Sequence, residues 1–375
     1  MRRLIFAVIA VAAAAAPAHA RAAGCPPSTC GILSVPVPGS SLLALRPSGD
    51  RGPLLAYDLL RGRTRFSLPS GTLSPDGRRF FAARSATTAT RITAYDGLRG
   101  TRLARWSIPG PWLLARTSAN GRWLAFVRSG KGTTAFAVVD STRHRLAYRF
   151  ALASRYDVDA VSPDGRRLFL IQWFASNGPP KYAVRAYDLA RAEMATVALK
   201  SSDSGMAGFA WGAVASPGGH RLLTLYLNIS NGTAFVHDLD LRASYAMCVD
   251  LPDRSRDPST LGNYTLVLSR DGRRLYAANP ALGVVHELDV ARGRLVSTAR
   301  FAGTTPELNS NGAISRDGRT LAFASGSSVF TYDTVTAKVA APRSIGAPVA
   351  GLGFDAKGRL VVVRSDRRAV TLKLR

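Results

Sequence analysis

The residue types that most often perform chemistry are sparse in this sequence. Beyond residue 20 the histidines are His144, His220, His237 and His286, and none has a short-range partner at metal-ligand spacing. The sequence contains no Cys-x-x-Cys-His motif for haem attachment and no Gly-x-Ser-x-Gly nucleophile elbow. We therefore expect no catalytic residues, no metal site and no cofactor.

The elements that position side chains are set by one repeat. Its signature is Ser, a turn that ends in Gly, one or two basic residues and an apolar run, as in residues 73–83 and 161–170. The turn glycines are Gly77, Gly121, Gly165, Gly219, Gly272, Gly318 and Gly358, spaced 40 to 54 residues apart. A period of about 40 to 50 residues with strand chemistry is typical of β-propeller blades.

A second landmark follows each turn, where a short apolar segment ends in Asp. These residues are Asp58, Asp96, Asp140, Asp188, Asp238, Asp289 and Asp333, and His237 stands where other copies have Tyr. Several strands after the Gly turns are apolar at consecutive positions, with Thr224 as the one polar interruption. Such runs indicate strands buried on both faces. The fold class is therefore all-β, a single β-propeller of four-stranded antiparallel blades.

Two segments carry a family resemblance. Residues 273–296 resemble a YVTN-type propeller repeat, and the Ser-Pro-Asp-Gly copies at 74–77 and 162–165 resemble the WD-repeat-like propellers of the TolB type. The resemblance covers roughly residues 40 to 375 and implies a binding or scaffold module. A fold shared by many activities does not by itself assign one of them.

The number of blades follows from the ends of the repeat. Asp58 follows Gly39 at the same offset as Asp96 follows Gly77, which favours eight blades, with seven as the alternative. The last copy ends after its third strand. We expect residues 32–37 to supply the missing fourth strand and close the ring, since an open array would expose a pairing edge.

In a four-stranded meander, the first and third turns of every blade lie at one end of the propeller, here called the turn end. The loops between blades and the second turns lie at the other end, the loop end. Binding residues concentrate on loops, and aromatic groups beside carboxylates suit a cationic, sugar-like or peptide ligand. The candidate ligand-binding residues at the loop end are Tyr156, Asp157, Asp159, Trp173, Trp211, Tyr264, Glu307 and Asn309. Asp159 and Glu307 could also meet at the axis as a carboxylate pair.

The turn end is expected to be basic. The formal net charge of +26 comes from 50 Lys and Arg against 24 Asp and Glu. The excess reflects either genome composition or a selected basic surface that adsorbs to anionic polymers. The basic-face residues are Arg78, Arg79, Arg166, Arg167, Arg273 and Arg274.

The N-terminus reads as an export signal. Arg2 and Arg3 precede thirteen apolar residues and a small-x-small site that ends at Ala20. We expect a signal peptide at 1–20, a segment at 21–31 in which Cys25 and Cys30 form a disulfide, and the propeller at 32–375. Lipid anchoring at Cys25 is the alternative. The mature chain is expected to lack a transmembrane segment and to be secreted, periplasmic or attached to the cell envelope.

The functional hypothesis is an exported, non-catalytic propeller scaffold. It is expected to be a monomer that binds a protein, peptide or anionic envelope polymer through its loop end, with no specific nucleic acid. The alternative is a propeller enzyme, similar to calcium lactonases or quinone-dependent dehydrogenases, with its site at the channel mouth.

Overall fold

Eight antiparallel sheets follow one another in the computed structural model, which describes residues 33–46, 52–174, 181–199, 206–307 and 311–374. Each sheet is a meander whose successive strands are hydrogen-bonded neighbours. The first strands of most neighbouring sheets contact one another, and the first strand of the last sheet contacts that of the first sheet. The chain is therefore a β-propeller with eight blades, as predicted. The export signal, Cys25 and Cys30 lie outside the described residues.

The strands of each blade are named A to D from the axis outward. The first four blades are β1 (Leu33–Pro36), β2 (Leu42–Arg46), β3 (Leu54–Asp58) and β4 (Arg63–Leu68); β5 (Thr72–Leu73), β6 (Arg79–Ser85), β7 (Ala89–Asp96) and β8 (Arg102–Pro109); β9 (Leu113–Thr117), β10 (Trp123–Ser129), β11 (Thr133–Asp140) and β12 (Arg145–Ala153); and β13 (Arg155–Val161), β14 (Arg167–Phe174), β15 (Lys181–Asp188) and β16 (Glu193–Thr196).

Two short strands, β17 (Ala198–Leu199) and β18 (Met206–Ala207), follow blade 4. Strand β17 pairs with the outer strand of blade 5, and β18 pairs with β15. Blade 5 consists of β19 (Phe209–Ala215), β20 (Arg221–Asn228), β21 (Thr233–Asp240) and β22 (Tyr245–Leu251), and is followed by the helix α1 (Pro258–Leu261). The remaining blades are β23 (Thr265–Leu268), β24 (Arg274–Asn279), β25 (Val284–Asp289) and β26 (Arg294–Arg300); β27 (Asn311–Ile314), β28 (Thr320–Ser325), β29 (Ser328–Asp333), β30 (Lys338–Val339) and β31 (Arg343–Ser344); and β32 (Val349–Phe354), β33 (Leu360–Arg364) and β34 (Ala369–Leu372).

The repeated Ser-x-Asp-Gly turn is held by its own side chains. In blade 2 the Ser74 hydroxyl donates to Asp76 Oδ1 (2.5 Å), which also accepts from the backbone N–H of Arg78 (3.0 Å). Ser74 Oγ in turn accepts from the backbone N–H of Arg79 (3.0 Å). Blades 3, 4, 6 and 7 repeat these contacts, with Asn in the place of Asp in blade 3. The motif thus builds a turn from local hydrogen bonds.

The Asp that ends strand C has the same kind of role. Asp58 Oδ1 accepts from the backbone N–H groups of Leu60 and Arg61, and the equivalent Asp does so in blades 2, 3, 4, 5 and 7. In blade 5 the residue is Asp240, which pairs in register with Arg221. The predicted assignment of Asp238, and of His237 to the Tyr position, was therefore wrong by two residues.

The blades are held together by apolar side chains on both faces of each sheet. Phe81 and Ile92 of blade 2 pack with Leu124 and Phe126 of blade 3, and all four side chains are fully buried. Similar clusters join the other blades. Burial of both faces explains why the second strands do not alternate between apolar and polar residues.

The closure of the ring differs from the prediction. Strand β1 pairs with β2, as in Leu33↔Arg46, so it is the inner strand of blade 1 and leaves blade 8 with three strands. Packing closes the ring instead: Leu43 and Tyr57 of blade 1 cluster with Val361 and Val363 of blade 8. Because blade 1 covers the apolar face of blade 8, the ring closes without a shared sheet.

The turn chemistry gives a test in blade 7. We expect Asp317→Ala to lower the free energy of unfolding, since it removes the acceptor for Ser315 Oγ and for the backbone N–H of Arg319. Asp317→Asn should cost less than half as much, because Asn120 makes the same contacts in blade 3. Urea unfolding of the two variants measures the difference, and equal losses would show that the charge of Asp317, not its hydrogen bonds, stabilises the turn.

Candidate functional site

The candidate residues predicted for the loop end lie mainly in strands. Tyr156, Asp157 and Asp159 belong to β13, the inner strand of blade 4, while Trp173 lies in β14 and Trp211 in β19. Their expected location in loops was wrong, because β13 begins at Arg155 and β14 extends to Phe174. Their role in ligand binding stays a prediction.

One pair among them is brought together beside a cation. Trp173 Nε1 donates to Asp157 Oδ2 (2.7 Å), and the guanidinium of Arg155 lies 5.3 Å from the centre of the Trp173 ring. The Asp157 carboxylate and the Trp173 N–H thus satisfy each other by a hydrogen bond, and Arg155 makes a cation–π contact with the indole ring. Tyr156 is buried within the apolar contact between blades 3 and 4, and Trp211 packs on Phe209.

The other loop-end candidates lie two or three blades away. Tyr264 is 1% exposed, and its hydroxyl lies 3.2 Å from Nε2 of the fully buried His286. Glu307 is exposed in the connection between blades 6 and 7, and its carboxylate lies against Gly326. Asn309 lies outside the described residues. The described loop-end candidates are therefore dispersed over several blades, with Asp159 in blade 4 and Glu307 after blade 6.

His286 is the centre of a polar network that sequence reasoning missed. Its Nδ1 lies 2.9 Å from Thr298 Oγ1, and its Nε2 lies 3.2 Å from Asp253 Oδ2, whose other oxygen binds Arg300. A hydroxyl, an imidazole and a carboxylate in this order are the parts of a nucleophile relay. Burial lowers the pKa of His286 to about 4, both ring nitrogens have partners, and the ring is 0% exposed. The imidazole is therefore neutral and packed between blades 5 and 6.

A second buried polar cluster lies between blades 4 and 5. Asp159 is 6% exposed, its Oδ2 has no hydrogen-bond partner among the described residues, and burial raises its pKa to about 6 while Arg116 opposes the shift. The rings of Tyr182 and Tyr226 stack beside it with centroids 5.3 Å apart. Burial raises the pKa of both tyrosines, so both hydroxyls stay protonated.

The blade 5 side of this cluster is a row of polar side chains across three strands. Thr224, His237 and Cys248 are cross-strand neighbours, and Cys248 Sγ lies 3.6 Å from His237 Nδ1. Burial lowers the pKa of His237 to about 4, so the imidazole is neutral and does not ionise the thiol. Thr224, which breaks an apolar run, was the only sequence signal for this row.

The turn end carries a ring of exposed cations. Seven exposed residues distributed over blades 1, 2, 3, 4, 6 and 7 make no ion pair with a described carboxylate, namely Arg63, Arg78, Arg145, Arg166, Arg294, Arg319 and Lys338. Of the other predicted basic-face residues, Arg273 lies in a turn, and Arg79, Arg167 and Arg274 begin the strands that follow the turns. Arg79 and Arg167 bond to Ser141 and to the carbonyl of Arg242, while Arg273 and Arg274 pair with acidic side chains.

The carboxylates at this end offset part of the charge. Asp317 illustrates their state: the hydrogen bond from Ser315 and that from the backbone of Arg319 lower its pKa, so it is ionised at neutral pH. These carboxylates accept hydrogen bonds within their own turns, and Arg166 and Arg319 help to lower the pKa of Asp164 and Asp317. The seven cations are nevertheless exposed. The turn end can therefore contact an anionic chain at several points.

The eight sheets define the chain as an eight-bladed β-propeller. No protein-family model matches the chain, and no curated protein matches it in sequence. The YVTN-type and TolB-type resemblance therefore stays a prediction. Among the described residues there is no cluster of three metal-ligating side chains, and no helix in that part is long and apolar enough to cross a membrane.

Comparison of this chain with solved structures found similar chains. The Dos1 propeller superposes with a TM-score of 0.52 at 12% identity, covering 89% of this chain and 91% of that one. A Kuenenia stuttgartiensis hydrazine synthase chain gives 0.44 at 14% identity (81% and 94% coverage). The Myceliophteria thermophila Cps50 (Swd1) β-propeller domain gives 0.43 at 10% identity (80% and 94% coverage). At these identities the comparison with Dos1 shows the fold alone.

Proposed function

We propose that this chain is an exported, non-catalytic scaffold that binds an anionic polymer of the cell envelope at its turn end. The observation that carries the proposal is the set of seven exposed cations without ion pairs to described carboxylates, defined above, which are distributed over six of the eight blades. A polymer that crosses this end meets cations from several blades at once. The loop-end candidates, in contrast, are buried, paired with each other or dispersed.

Binding of this kind is electrostatic and sequence-blind. Exposed charges are screened over about 8 Å at physiological salt, so affinity falls steeply as salt is added. Arginine is suited to the task because its guanidinium stays charged and forms paired hydrogen bonds with phosphate or carboxylate groups. The proposal predicts many weak contacts and no fixed register.

The test compares two triple variants. We expect Arg145→Ser, Arg166→Ser and Arg294→Ser together to make the slope of log affinity against log salt shallower by about 2, at roughly 0.7 per contact for a single strand. The probe is a fluorescent single-stranded oligodeoxynucleotide, used as a polyanion of known charge spacing, and the readout is anisotropy of the full chain.

The matched control removes three exposed cations from the loop end. Lys131, Arg254 and Arg256 become Ser in that variant, with the same change in net charge. The control is expected to keep the wild-type slope within about 0.5, because long-range attraction is screened and direct contacts set the slope. Equal slopes in the two variants would mean that net charge alone causes binding, and would overturn the assignment to the turn end.

A further inference from the structure

A cavity of about 210 Å³ lies beside blade 2, next to the connection from blade 1. Four of its lining side chains are arginines, namely Arg84, Arg91, Arg102 and Arg105, and two more are the hydroxyl-bearing Thr93 and Tyr95. Among the described residues, no carboxylate lines it. None of the four guanidinium groups forms an ion pair with a described carboxylate.

The strand register places these residues on one face of the sheet. Arg84 pairs with Arg91, Thr93 pairs with Arg105, and Tyr95 pairs with Arg102. Successive rows are two residues apart along the strand, which is about 7 Å. The three rows form a cationic strip about 14 Å long, with a hydroxyl in two of the rows.

The equivalent face of blade 3 is occupied mainly by buried apolar side chains. The positions equivalent to Ala82, Thr93 and Tyr95 are Phe126, Ala137 and Val139, all buried against blade 2. The positions equivalent to Arg84 and Arg105 are Arg128 and Arg149, whose guanidinium groups lie 4.9 and 5.7 Å from the centre of the Trp112 ring. Blade 3 therefore covers its arginines with an aromatic ring.

Blade 1 packs on Ala82 and Tyr95 but leaves the four arginines of the strip exposed. Its outer strand β4 ends at Leu68, and Pro69 lines the cavity. The outer strand of blade 2, β8, which packs on the equivalent face of blade 3, extends over eight residues to Pro109. Because β4 has only six residues, no described strand of blade 1 covers the outer part of the blade 2 face.

We propose that this cavity binds a chain of linked phosphate groups. Arginine cannot lose its proton in a protein, so four guanidinium groups around one cavity repel each other until an anion enters. Guanidinium forks and hydroxyl donors suit phosphate oxygens. Cations in three successive rows match several linked phosphates better than a single one. The ligand is a free oligophosphate or a segment of long-chain polyphosphate, which share this chemistry.

Titration calorimetry of the full chain with tripolyphosphate tests the site. We expect one binding site per chain. Arg91→Gln with Arg105→Gln should weaken binding about 100-fold, at roughly tenfold for each charge-assisted hydrogen-bonding group removed. Tyr95→Phe, which keeps the ring and removes only the hydroxyl, is expected to weaken binding about 5-fold. Inorganic phosphate should bind far more weakly than tripolyphosphate.

The control is Arg254→Gln with Arg256→Gln, which makes the same charge change at exposed residues of the loop end, outside both proposed sites. It should bind tripolyphosphate within about 2-fold of wild type, since exposed charges on other blades are screened. The cavity variants leave the seven turn-end cations intact, so the cavity and the turn end fail independently. Multi-site binding that the Arg91 and Arg105 changes leave unaltered would overturn the proposal. If long-chain polyphosphate competes with tripolyphosphate at equal phosphate concentration, the natural ligand is a segment of the polymer. If it does not compete, the natural ligand is a free oligophosphate.

Discussion

Alanine at position 165 is expected to lower the free energy of unfolding by about 2 kcal/mol more than alanine at position 318. Both residues are the glycine of the repeated turn, with φ of +72° and +74°. A Cβ on Gly165 would overlap the Trp123 ring of blade 3, whereas a Cβ on Gly318 would meet nothing within 4 Å. The two variants thus share the backbone strain of about 1–2 kcal/mol and differ in the clash between blades.

Trp123 has little room to move away. It is 9% exposed, its ring packs in the core between blades 3 and 4, and the guanidinium of Arg122 lies 5.1 Å from the ring centre. Urea unfolding followed by circular dichroism measures both variants, and Trp123→Leu in the Gly165→Ala background should recover part of the loss. If both glycine variants lose the same free energy of unfolding, the close contact between Gly165 and Trp123 does not constrain the packing of blade 4 on blade 3.

Asp159→Asn is expected to stabilise the protein above pH 6 by about 3 kcal/mol, at roughly 1.4 kcal/mol per pKa unit. The pKa of Asp159 is raised to about 6 in the folded chain from 3.8. Below pH 4 the carboxyl is protonated in both the folded and the unfolded chain and costs nothing. Between pH 4 and 6 the unfolded chain ionises first, so stability falls as pH rises. Above pH 6 the full cost of the buried charge is present.

The measurement is the difference in unfolding free energy between variant and wild type at several pH values. The pKa values of His237 and His286 are lowered to about 4. Burial of these two histidines therefore reduces the free energy of unfolding as pH falls below 6.5, which is the opposite pH dependence to that of Asp159. They are present in both proteins, so the difference isolates Asp159. Asp157→Asn, on the same strand but bonded to Trp173 Nε1, controls for the loss of a negative charge. A difference that does not grow between pH 4 and 6 would contradict the buried state of the Asp159 carboxylate.

The blade pattern could be predicted from sequence because its chemistry is local. The hydrogen bonds of the Ser74 and Asp76 side chains connect residues no more than five apart, and those of the Asp58 side chain no more than three. Such contacts depend on residue types in order along the chain, and their repetition gave the blade count. Even here, Asp240 replaced the expected Asp238, because the register with Arg221 decides which Asp closes the turn.

The sites depended on tertiary structure. Asp159 and His237 belong to different blades, and Arg84 and Arg105 meet only through the register of three strands. No spacing along the chain encodes whether β4 is long enough to cover a neighbour, or whether β1 joins the first blade or the last. The sequence determined the repeat, the buried strands and the excess of arginine. The packing of one blade on the next decided which polar groups became buried and which cations remained open to an anion, because those contacts join residues that are distant along the chain.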